Sequence, residues 1–121
     1  KEWEHLSALG VAYDTQGKYA DAQAAYYKAL GLSANNPVIL NNLGLSLAQE
    51  ARLDEAIAMF QRAADQPAAA SQVRQNLGLL LAFKGDYEAA ERMARKDLTP
   101  DQLRERLMAY KVVAGLKREG M

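Results

Sequence analysis

Three glycines, Gly10, Gly44 and Gly78, fall 34 residues apart, and they do not travel alone. Leu9, Leu43 and Leu77 keep the same step, and so do Ala22, Ala56 and Ala90. No gap interrupts the register from the first copy to the third. A chain that rewrites itself at a fixed interval of this size is built from stacked copies of one supersecondary unit. Each copy needs a neighbour, because alone it cannot bury its apolar face.

Inside a copy, apolar residues recur at helical spacing: Leu6, Leu9, Gly10 and Tyr13, then Tyr19, Ala22, Tyr26, Ala29 and Leu30. Between the two runs lies a short break, "TQGK", "QEAR" or "FKGD". Gly17 and Gly85 can adopt the left-handed conformation there that closes a helix, and Ala51 holds the same place in the middle copy. Each copy is thus predicted to be a helix hairpin. The small residues at the Gly10 and Ala22 positions are expected where the two helices cross. A bulky replacement there would overpack the crossing by roughly 1–3 kcal/mol.

A 34-residue helix hairpin with this pattern resembles the tetratricopeptide repeat. Leu6, Leu9, Gly10, Tyr13, Ala22, Tyr26 and Ala29 match its pattern in the first copy, with Ala34 where proline is usual. Leu40, Leu43, Gly44, Leu47, Ala56, Phe60 and Ala63 match in the second. The third keeps Leu77, Gly78, Leu81 and Ala90 but departs at Arg74, Ala94 and Asp97, which predicts a short or altered second helix. A new helix is signalled by "LTPDQLRERL", where Thr99 can cap, Pro100 suits the first helical position and Asp101 favours the positive end of the dipole. The expected fold is all-α, a tetratricopeptide-repeat superhelix of stacked hairpins with a C-terminal capping helix. Repeats are expected over 3–36 and 37–70, a degenerate third over 71–98 and the closing helix over 99–121. Leu103, Leu107, Tyr110 and Ala114 form the face expected to cover the open end. Met108, Val112 and Leu116 form a second ridge, either partly exposed or a docking surface.

Composition argues against chemistry. Fifteen basic and fifteen acidic residues cancel, which disfavours a general nucleic-acid binder. With no cysteine there is no disulfide framework, thiolate metal site or thiol nucleophile. The single histidine, His5, follows Glu4 directly, and consecutive helical residues point about 100° apart, which is poor metal geometry. The Gly-Lys pair in "QGKY" lacks the rest of a phosphate loop. Acidic pairs such as Asp54 and Glu55 begin second helices, where the helix dipole accounts for them. No enzyme and no cofactor is therefore expected. Charge is uneven: residues 1–70 hold five basic and eight acidic groups, residues 71–121 ten and seven. No segment reads as transmembrane, and the opening "KEWEHLSALG" reads as a fragment or mature form.

Tetratricopeptide arrays bind peptides along the first helix of each hairpin. Carried over, that resemblance implies a groove of Ser7, Val11 and Asp14, then Val38, Asn41, Asn42, Leu45 and Gln49, then Gln72, Gln75, Asn76, Leu79 and Phe83. Val11, Leu45 and Leu79 would take apolar anchors, and the amides can both donate to and accept from a peptide backbone. The carboxylate clamp of chaperone-binding members is not implied. Asn42 matches its central asparagine, but Ser7, Val11, Gln72 and Asn76 stand where its other contacts would be, and none is a cation.

From Val73 to Leu98 the chain is similar to TadD-type proteins, the tetratricopeptide lipoproteins of Tad (Flp) pilus assembly, following a string of the form "VRQNLxLxLxxxGxxxEAExxAxxDL" except at Ala89, where the string has Glu. That resemblance implies a pilotin, a periplasmic factor held at the outer membrane by a lipid anchor, which binds the secretin or another pilus subunit. The lipid-bearing cysteine is absent from this chain, as expected of a form from which it has been removed. A generic cytosolic adaptor or co-chaperone and a regulatory domain attached to an enzyme are the alternative expectations. Self-association is a further one, because a solenoid end is adhesive.

Overall fold

The computed structural model describes residues 2–118, without the side chains of Ala114 and of residues 116–118. Among the described residues there are seven helices and no strand: α1 (Glu2–Thr15), α2 (Tyr19–Leu32), α3 (Pro37–Gln49), α4 (Leu53–Ala64), α5 (Ser71–Lys84), α6 (Tyr87–Arg95) and α7 (Pro100–Arg118). They form two compact units, Lys1–Ala69 and Ala70–Met121.

The helices end for local reasons that repeat with the sequence. Gly17, Ala51 and Gly85 all take positive φ, at 74°, 60° and 95°. After each, the next backbone N–H folds back onto a carbonyl five residues earlier: Lys18 on Tyr13 at 2.9 Å, Arg52 on Leu47 at 3.0 Å, Asp86 on Leu81 at 2.8 Å. One turn is therefore built three times, and it sets the antiparallel sense of each hairpin. Asn36 begins α3, its side chain accepting from the Val38 N–H at 2.9 Å, with Pro37 as the first helical residue.

In the first unit α1 packs on α2, α3 on α4, α2 on α3 and α1 on α3. Gly10 and Gly44 lie at the crossings because aromatic rings occupy the space a side chain would need. A Cβ on Gly10 would overlap the Tyr26 ring, and one on Gly44 would come within 2.8 Å of the Phe60 ring. Both rings and the neighbouring Ala22 and Ala56 are fully buried.

The second unit solves the same problem differently. The short helix α6 runs nine residues against fourteen for α2, and the ring position on it is Ala94. Tyr110 of α7 instead lays its hydroxyl end over Gly78. Around it Ala82, Ala90 and Ala94 form the core, with Leu81, Leu98, Leu103 and Leu107 packed against them. A reciprocal cap starts α7: the Gln102 N–H donates to Thr99 Oγ1 at 3.3 Å, and the Thr99 N–H donates to Gln102 Oε1 at 3.0 Å. Ala114, expected on the same covering face, has its side chain outside the described residues.

Arg74 and Asp97, two of the third copy's departures, are each other's partners. Arg74 Nε and Nη2 donate to the two oxygens of Asp97, both at 2.7 Å. They replace Leu40 and Ala63 of the second copy, so an apolar contact has been exchanged for a forked ion pair. The hydrogen bonds from Arg74 hold Asp97 below the usual carboxylate range, and the same bonds raise Arg74.

One repeat position behaves unequally. Leu43 and Leu77 are fully buried, whereas Leu9 is 44% exposed. Helix α3 packs against α1, α2 and α4, while among the described residues α1 has only α2 and α3 against it. Among the described residues no helix packs on α1 in the way that α2 packs on α3.

Candidate functional site

In the first unit a cleft of about 230 Å³ is lined by Val11, Asp14 and Thr15 of α1, Tyr26 of α2, and Asn42, Leu45 and Gln49 of α3. Val11 and Leu45 are its apolar walls, 44% and 40% exposed. Their spacing explains the meeting: Asn42, Leu45 and Gln49 follow one another at three and four residues, along a single face of α3.

The floor is a hydrogen-bonded chain. Tyr26 donates its phenolic proton to Asp14 Oδ2 and Ser46 Oγ donates to Asp14 Oδ1, each at 2.8 Å. Gln23 Nε2 donates to Ser46 Oγ at 3.3 Å and to Glu50 Oε1 at 2.8 Å. Arg52 then reaches the Gln23 carbonyl oxygen at 3.2 Å while pairing with Glu50 and Glu55 at 3.5 and 2.7 Å. Burial, with the bond to Asp14, pushes the Tyr26 phenol well above its ordinary range, so it stays a proton donor. Tyr26 and Thr15 were not among the groove residues expected from sequence. The available signal was a break in the repeat: Asp14 stands where the other copies have Ala48 and Ala82.

Ser7, Asn41 and Gln75 share one repeat position, and none of them lines this cleft. Ser7 is buried at 6% exposure, with its Oγ accepting from Asn42 Nδ2 at 3.2 Å, so it steadies Asn42 and shows no surface of its own. Asn41 is half-buried, about 100° around α3 from Asn42. Val38 is 54% exposed at the first turn of α3.

In the second unit Gln72, Asn76, Leu79 and Phe83 follow one face of α5, with Gln72 Nε2 donating to Asn76 Oδ1 at 3.0 Å. Leu79 is 38% exposed, and Asn76 and Phe83 are half-buried. Gln75 instead lines a separate cleft of about 410 Å³ with Leu98, Gln102, Glu105, Arg106 and Ala109. A further cleft of about 540 Å³ opens between α6 and α7, lined by Tyr87, Glu91, Leu107 and Lys111. Of the second ridge, Met108 and Val112 are 69% and 64% exposed, and the side chain of Leu116 lies outside the described residues. Among the described residues no group of acidic or histidine side chains is arranged to hold a metal ion, and no helix is long and apolar enough to cross a membrane. His5 is exposed.

Residues 6–36, 38–66 and 71–96 each match the family model of the tetratricopeptide repeat. The chain belongs to the tetratricopeptide repeat family. A "TPR repeat-containing thioredoxin TTL4" of Arabidopsis thaliana is 31% identical over 100 residues, covering 82% of this chain. The chain spans 15% of that relative's length, within a much larger protein. The crystal structure of MamA shares the fold with a TM-score of 0.72 at 22% identity, over 98% of this chain and 79% of that one. The tetratricopeptide repeat is a protein-interaction scaffold, and a protein is the class of partner it binds.

Proposed function

We propose that this tetratricopeptide protein is a Tad/Flp pilus assembly factor acting as a pilotin. In this reading its cleft-lining residues hold a segment of the outer-membrane secretin, and no reaction is catalysed. The full-length protein would work at the periplasmic face of the outer membrane, tethered by a lipid anchor outside this chain. The observation that carries the binding reading is the first-unit cleft, where exposed Val11 and Leu45 flank the amides of Asn42 and Gln49. The pilus assignment rests on the sequence string from Val73 to Leu98. Within it, Arg74 and Asp97, which the general repeat pattern does not ask for, are bound to each other. The string therefore contains a coupled pair, and its two unusual positions belong together.

The test is capture from detergent-solubilised envelope of the source organism. Wild-type chain is expected to retain the secretin. A Val11→Ser/Leu45→Ser variant is expected to lose it while a Met108→Asp/Val112→Asp variant keeps it. Loss only in the Met108/Val112 variant would move the site to the α7 ridge. Wild-type capture of a defined segment from a protein outside the pilus machinery would make the chain a general tetratricopeptide adaptor.

A further inference from the structure

The cleft in the first unit carries one charged lining residue, Asp14. Its carboxylate is half-buried and is held in place by two neutral donors, the Tyr26 hydroxyl and Ser46 Oγ. Two acceptances leave an ionised carboxylate with lone-pair sites to spare. No lysine or arginine pairs with it among the described residues. Arg52, at the far end of the same hydrogen-bonded chain, is taken up by Glu50 and Glu55. A negative charge is thus fixed in direction, partly desolvated and left without a cation.

Resting on the reading of this cleft as a peptide site, we propose that it selects a segment bearing a lysine or arginine between apolar residues, with Asp14 as the specificity-determining group. Val11 and Leu45 stand on either side of the cleft, where the aliphatic stem of such a residue would lie while its head reaches Asp14. Neighbouring apolar side chains of the segment would cover the remaining surface of those walls. Gln49 and the Asn42 side-chain amide are placed to meet the segment's backbone, one of the two Asn42 Nδ2 protons being given to Ser7. An acidic segment finds no counter-charge here and meets repulsion from Asp14, so discrimination has an attractive and a repulsive component. The polarity is the inverse of a site that clamps a carboxylate.

The proposal is tested on the full chain with three pools of capped twelve-residue peptides. Their central residue is fixed as Lys, Glu or Leu, with neighbours drawn from Leu, Val, Ala, Asn and Ser. The Lys pool is expected to be retained about tenfold over the Glu pool, as one charge-assisted hydrogen bond implies, and the margin should shrink as salt is added. Asp14→Asn should bring the two pools within about twofold of each other, with folding checked by melting, by the loss of that one charge. Thr15→Lys, which adds a cation at the rim and leaves the floor bonds intact, should likewise narrow the margin, and Asp14→Asn/Thr15→Lys should invert the preference. If wild type retains the Lys and Glu pools equally, and both are lost in Val11→Ser/Leu45→Ser, the charge selection is wrong and the cleft remains a peptide site. If no pool is retained better by wild type than by that double variant, the cleft reading fails and the charge selection falls with it.

Discussion

The two units seat an aromatic ring on a glycine, and they obtain the ring from different places. In the first unit the hairpin's own second helix supplies it, Tyr26 over Gly10 and Phe60 over Gly44. In the second unit that position is Ala94, and the ring over Gly78 is Tyr110, brought by α7. A hairpin with its own ring is closed by local contacts. The third hairpin is closed only when α7 is docked, so α7 is part of its core and cannot be treated as a lid on a finished unit. The lesson is that a degenerate repeat can keep its architecture by outsourcing one side chain.

Truncating these rings should separate the units most sharply. Phe60→Ala and Tyr110→Ala are each expected to cost about 3–5 kcal/mol, the usual cost of deleting a buried aromatic. The distribution of the damage should differ. Hydrogen exchange should show Phe60→Ala loosening α3 and α4 together, and Tyr110→Ala releasing α7 with α6 at once. If α6 keeps its protection after Tyr110→Ala, the dependence of the third hairpin on α7 is refuted.

Next in size is the ion pair that the second unit has in place of an apolar contact. Arg74→Leu alone should destabilise that unit by about 1–2 kcal/mol, because it strands a carboxylate in a half-buried place. Arg74→Leu/Asp97→Ala, which restores the residues of the second copy, should recover most of that loss, as urea melts of the two variants would show. Acid sharpens the same contrast. Asp97 sits below its unfolded value because Arg74 donates to it, so its stabilisation is complete above the ordinary carboxylate pKa. It drains away as pH falls from that value through the lower folded one. Protection of α5 and α6 should therefore fall over that acid range in wild type but not in the double variant.

A single oxygen gives the third contrast. The Tyr26 hydroxyl is bonded to Asp14, Phe60 has none, and the Tyr110 hydroxyl is buried with no hydrogen-bond partner among the described residues. Removing it should act with opposite sign in the two units. Tyr26→Phe is expected to lose about 1 kcal/mol and Tyr110→Phe to gain up to about 1 kcal/mol, since an unpaired buried hydroxyl carries its full desolvation cost. Thermal melts of both variants decide it, and equal signs would mean that the Tyr110 hydroxyl has a partner in solution.

How much of this could be read from the chain depends on whether the cause lies inside the repeat register. The crossings at Gly10 and Gly44 and the three turns follow from the 34-residue step, because both partners of each contact belong to one copy. Tyr110 does not follow, since it lies in a helix that has no counterpart in the other copies. Arg74 and Asp97 look like two separate faults until they are placed against Leu40 and Ala63, which are also neighbours in register. The exposure of Leu9 is equally hidden, because a repeat pattern states what each position wants and not which neighbour is there to cover it. At the cleft, helical spacing brings Val11, Asn42, Leu45 and Gln49 to the surface that they share. Repeat alignment alone also admits Ser7, Asn41 and Gln75, which do not line that cleft: Ser7 is buried under its bond from Asn42, and Gln75 lines a different cleft in the second unit. The hydrogen-bonded floor was legible only as polar residues breaking the pattern, Asp14 among them.

The smallest expected effect tests whether the three turns are as alike as their hydrogen bonds. Gly17 and Gly85 take positive φ freely, whereas Ala51 is held at 60° with a side chain. An L-residue in that conformation costs about 1–2 kcal/mol, offset in part because alanine has less freedom than glycine to lose on folding. Ala51→Gly should thus stabilise the first unit by about 0.5–1 kcal/mol, the difference between those two terms. Gly85→Ala in the second unit should destabilise by a similar amount, and neither change alters the core. If Ala51→Gly is neutral in a chemical melt, the Arg52-to-Leu47 bond and the packing of α3 on α4 are over-determining that turn. The first unit would then hold its strained residue more rigidly than the second holds its glycine.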